Sequence, residues 1–69
     1  MTVLIAGVNE SHLMTTLGRE LTYVGHVKVY DDDMYLYTES TNIHRLTEKD
    51  AMYDAMVLVK DLECASVVV

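Results

Sequence analysis

His26-Val27-Lys28-Val29-Tyr30-Asp31-Asp32-Asp33-Met34-Tyr35-Leu36-Tyr37-Thr38-Glu39 contains the firmest local signal in the chain. From His26 to Tyr30 the residues alternate: Val27 and Val29 point one way, while His26, Lys28 and Tyr30 point the other. The alternation resumes at Met34 after three aspartates that suit a tight turn. Two alternating runs around an acidic turn predict a β-hairpin.

Working outward, Thr2 to Val8 is a short apolar run rich in β-branched residues, stopped by Asn9, and predicts a strand. Asn9 suits an N-cap with Glu10 in a first turn, and Leu13, Leu17 and Leu21 recur every four residues. That stripe predicts a helix over about 10–22, weakened by Thr15, Thr16 and Gly18. Gly25 falls where such a segment would end. Ser40 to Leu46 reads as a polar connection. Thr47 with Asp50 three residues on resembles a capping box. Ala51, Met52, Ala55, Met56, Val59 and Leu62 then form a broad stripe, with Lys49, Asp54, Lys60 and Asp61 opposite, predicting a helix over about 48–62. Cys64 to Val69 reads as a closing strand.

The predicted order of strand, helix, strand, strand, helix, strand is the ferredoxin-like βαββαβ arrangement. This is an α+β fold whose four-stranded antiparallel sheet carries two helices on one face, with the first and third strands central. The alternative turns the first helix into strand and loop, leaving a β-rich sheet packed by one long C-terminal helix. With 69 residues, no linker and no internal repeat, residues 1–69 are expected to form a single domain. A chain of this size buries only about 60% of its unfolded surface. Its single cysteine, Cys64, rules out an internal disulfide. A partner or second copy is then the natural source of extra buried area.

Eleven acidic residues against five basic ones give a net charge of −6. That balance disfavours direct nucleic-acid binding, which depends on Lys and Arg displacing counterions. No apolar run reaches the length of a membrane span, and no basic leader precedes the first strand, so the expected location is cytoplasmic. His12, His26 and His44 lack metal-ligand spacing, adjacent aspartates diverge in a turn, and no nucleophile or phosphate-loop motif occurs. No metal or cofactor is expected, and the chain reads as non-enzymatic. An enzyme acting through His26, His44 or Cys64 is the remote alternative. An RNA platform of the RRM type lacks its stacking aromatic on the first strand, and Asp31–Asp33 would repel phosphates.

The terminal strands are apolar on both sides, so part of the uncovered sheet face should be dry. About 600 Å² of such area is worth on the order of 15 kcal/mol gross when covered, much of it offset by association. The expected site is the tyrosine-bearing hairpin with its acidic turn: Tyr30, Asp31, Asp32, Asp33, Tyr35, Tyr37 and Glu39. Tyrosines anchor, and carboxylates steer toward a basic protein surface. The function so implied is a small acidic protein-binding module. Its size and charge are those of phage or mobile-element inhibitors that occupy the nucleic-acid-binding surface of a CRISPR complex, nuclease or RNA polymerase. The alternative is a homodimeric ferredoxin-like regulatory module that buries Leu4, Ala6 and the terminal valines between two sheets and binds a small ligand at the seam.

Overall fold

The computed structural model describes residues 1–67, with side chains through Glu63. Three strands and one helix follow in order: β1 Thr2–Thr15, β2 Gly18–Asp31, β3 Met34–Arg45 and α1 Glu48–Val67. The strands form an antiparallel meander with β2 in the middle, and α1 lies across one face. The four-stranded, two-helix arrangement is therefore overturned, and the β-rich sheet under one C-terminal helix is what forms. The predicted closing strand is helix as far as Val67, while Val68 and Val69 lie outside the described residues.

The predicted first helix is the end of β1, a turn and the start of β2. Thr15 pairs with Gly18, and Gly18 takes φ 118°, which a β-carbon would resist. The Thr15 hydroxyl accepts from Leu17 N–H at 3.2 Å and donates to Gly18 O at 3.0 Å, fixing the reversal. A helix here would have carried Thr15, Thr16 and Gly18 in its interior for the sake of three leucines. Leu17 instead sits at the tip, 99% exposed. The leucine spacing of four belongs to a hairpin whose turn is Thr16 and Leu17, not to a helix face.

The β2–β3 hairpin forms where the alternation placed it. Asp31 pairs with Met34, and Asp32 and Asp33 both have positive φ (49° and 70°), the signature of a two-residue type I′ turn. The segment expected to be polar connection is the second half of β3, broken by a register shift opposite Gly25 with Asn42 at φ 57°.

The core is small. Among the described residues, Val27 and Val29 from β2 and Ala51 and Ala55 from α1 are the buried apolar ones, and Val27 is the largest side chain fully enclosed. Gly25 is not a terminator but the seat of the helix. A β-carbon there would strike Ala51 O and come within 3.0 Å of Ala55 N, so only glycine lets α1 settle this close. Thr47 caps the helix as expected, its hydroxyl accepting from Asp50 N–H at 3.3 Å. The inward stripe, however, is rotated from the predicted one. Asp54, expected in solvent, faces the sheet, while Met52 and Met56 are exposed. Arg45 at the end of β3 explains the rotation: it grips Asp54 through Nε at 2.7 Å and Nη2 at 3.1 Å. Those bonds hold the Asp54 carboxyl below the usual carboxylate range, and the same contact raises the Arg45 guanidinium.

The Cα radius of gyration is 13.8 Å, against about 11 Å for a compact chain of this length. The excess lies in the β1–β2 hairpin, because pairing between β2 and β3 begins only at Tyr23.

Candidate protein-binding face

Register assigns each side chain to a face. Gly25, Val27 and Val29 face the helix, and so do their β1 partners Val8, Ala6 and Leu4. Leu4 and Ala6 line a groove of about 340 Å³ with Met56, Val59, Lys60 and Glu63 of α1. Leu4 and Ala6, expected at a seam between two sheets, lie on the side where the chain's own helix packs.

The opposite face has no helix. Val3, Ile5 and Gly7 of β1 pair there with Tyr30, Lys28 and His26 of β2. Tyr30 meets Tyr35 of β3 edge to face, with ring centroids 5.7 Å apart and planes at 67°. Tyr35 Oη shares a hydrogen bond with Thr38 Oγ1 at 2.7 Å, which fixes the ring. Val3, Ile5, Tyr30 and Asp33 line a shallow cleft of about 220 Å³. Val3, Ile5 and Tyr35 remain about half exposed, so this is an apolar surface with a carboxylate at its edge.

Of the seven predicted site residues, Tyr30, Tyr35 and Asp33 come together here. Asp31 and Asp32 flank them but already hold the Met1 ammonium, at 3.4 and 2.6 Å, and these bonds raise that amine's pKa, Asp32 contributing most. Tyr37 and Glu39 do not join the group. A register shift sets Tyr30 opposite Tyr35 but Val29 opposite Tyr37, leaving Leu36 as the extra residue. One inserted residue reverses the alternation, so Tyr37 and Glu39 pair with the helix-facing Val29 and Val27. Val3 and Ile5 were missed as members of this cleft, although their parity relative to Leu4 and Ala6 was readable.

Further along the same face lies a polar cluster. Thr22 donates to Ser11 O at 3.3 Å, and His44 Nδ1 is 2.8 Å from the same hydroxyl. His26 packs over Gly7, whose β-carbon would lie 2.6 Å from the ring Nε2. His26 Nδ1 is buried and has no hydrogen-bond partner. His26 and His44 thus pack within the sheet, and no group of three metal-ligating side chains occurs among the described residues.

These features define a small α+β chain, a three-stranded meander under one helix, with a tyrosine-lined, acid-edged open face. Comparison with protein families, curated proteins and solved structures finds no match. Among the described residues no helix is long and apolar enough to cross a membrane.

Proposed function

We propose that the chain is a non-enzymatic binding module whose open face docks on a basic surface of another protein. The observation that carries this reading is the Tyr30–Tyr35 pair set against exposed Val3 and Ile5, with Asp33 at the margin. Apolar centres ringed by charge, with tyrosine anchors, have the composition of protein interfaces. A net charge of −6 favours a basic partner and opposes phosphate backbones. A partner whose basic surface otherwise holds nucleic acid would be blocked by competition, which makes an inhibitor the specific form of this function.

The test compares wild type with Tyr35→Ala and Asp33→Lys as immobilised baits on one lysate. A protein held by wild type, released by salt, lost from both variants and displaced by nucleic acid supports the proposal. Equal retention on all three baits refutes it.

A further inference from the structure

The two edges of this sheet are not protected alike. The β3 edge is broken by two register shifts and by Asn42 in the left-handed region. Bulges of that kind deter pairing with a further strand. The β1 edge has none: its fourteen residues pair with β2 without a shift. From Thr2 to Asn9 it also carries no charge and no proline.

The ladder shows which groups are offered. Asp32 N–H donates to Met1 O at 3.1 Å, so Met1 and Asp32 form a hydrogen-bonded pair. Antiparallel alternation then points Val3, Ile5 and Gly7 into the ladder with β2 and turns the N–H and C=O of Leu4, Ala6 and Val8 outward. No other backbone hydrogen bond to β1 from outside the sheet occurs among the described residues.

We infer that β1 is a pairing edge whose occupant is the β1 of a second copy, joined antiparallel about a two-fold axis at Ile5. This centring sets Thr2 opposite the partner's Val8 and Leu4 opposite the partner's Ala6. It closes about eight backbone hydrogen bonds within the charge-free stretch. In a chain of net charge −6, this is the edge where a copy meets no like charge along the paired residues. Both helices fall on one side of a six-stranded sheet, and the grooves beside Leu4 and Ala6 become neighbours across the axis. Seven paired residues make a strip about 24 Å long and 10 Å thick, on the order of 500 Å² over both copies before the grooves are added. That is below the roughly 1,200 Å² of stable complexes, so the dimer is weak and concentration-dependent.

Sedimentation velocity from about 10 µM to about 1 mM, at low salt and at about 0.5 M salt, reads the dimer directly. Two copies that each carry a net charge of −6 repel one another, so salt should tighten self-association, whereas it weakens docking on a basic protein. Ile5 is half exposed, so Ile5→Lys and Ile5→Glu should keep the fold, as far-UV circular dichroism will verify. Each alone should lower dimer affinity at least tenfold, and an equimolar mixture should restore it, because the two side chains meet at the axis. In wild type, hydrogen exchange should slow with concentration at the Leu4, Ala6 and Val8 amides but not at Val3, Ile5 or Gly7. A wild-type monomer throughout, undiminished association of Ile5→Lys, or no recovery on mixing overturns the inference. Asp33→Lys should leave self-association intact, so this result and that of the basic-partner proposal fail independently.

Discussion

Replacing Gly25 by alanine tests the contact on which the whole packing arrangement turns. The φ of Gly25 is not in the left-handed region, so alanine would adopt the same backbone without strain. The stiffer unfolded chain alone should then favour the variant by about 0.4–1 kcal/mol. Against this, the new methyl group would overlap Ala51 O and lie 3.0 Å from Ala55 N and 3.1 Å from Ala55 Cβ. Two of those atoms belong to helix backbone, so no rotamer change relieves the overlap and α1 must move outward. A gap of about 0.5–1 Å forfeits a quarter to a half of each dispersion contact it opens. Those contacts belong to Val27, Val29, Ala51 and Ala55, the buried apolar core. Overpacking of this kind typically costs about 1–3 kcal/mol, so the net loss should be about 1–2 kcal/mol. For a domain of this size that lowers Tm by roughly 5–15 °C. Urea and thermal unfolding followed by far-UV circular dichroism measure it. A variant as stable as wild type, or more so, would refute the seating of the helix on Gly25.

Three further outcomes are expected. Leu17→Ser should change stability by less than about 0.5 kcal/mol, because the side chain is bare at a turn; a loss of about 2–5 kcal/mol in chemical denaturation would mean that Leu17 is packed after all. Asp54 has its pKa depressed by Arg45, so the stabilisation it gives is present above its unfolded-state pKa and is lost as pH falls through the lower folded value. Arg45→Met should therefore flatten the acid limb of the stability curve measured below about pH 4, and an unchanged limb would show the pair to be idle. Tyr35→Ala should cost about 0.5–1.5 kcal/mol beyond its lost area through the broken edge-to-face pair with Tyr30, measurable in a double-mutant cycle with Tyr30→Ala.

The parts of the fold legible in the sequence were those with local causes. The alternation on either side of Asp31–Asp33 specified its hairpin, and Thr47 marked the start of α1 in the same way. Other features depend on distant residues. Leu13, Leu17 and Leu21 carry a spacing that a helix and a hairpin share, and the choice rests on whether β2 offers Thr2–Thr15 a ladder. Gly25 looks like a terminator until a helix twenty-six residues later is known to rest on it. Asp54 belongs among solvent-facing charges by periodicity, and turns inward only because Arg45 is there to receive it. The site divides along the same line. Parity alone put Tyr30 on the open face. Tyr37 and Glu39 were lost from it because the extra residue at Leu36 shifts the pairing without altering the hydrophobic pattern.

The hairpin around Leu17 extends past both β3 and its helix, with Leu13, Met14, Leu17 and Leu21 all exposed. Beyond Thr22, which still reaches His44 of β3, β1 and β2 pair only with each other, and an isolated pair of strands is barely stable in water. This finger is therefore the part of the sheet expected to open first while the body stays folded. Whatever first touches it meets four bare apolar side chains on a support that can adapt its shape at little energetic expense.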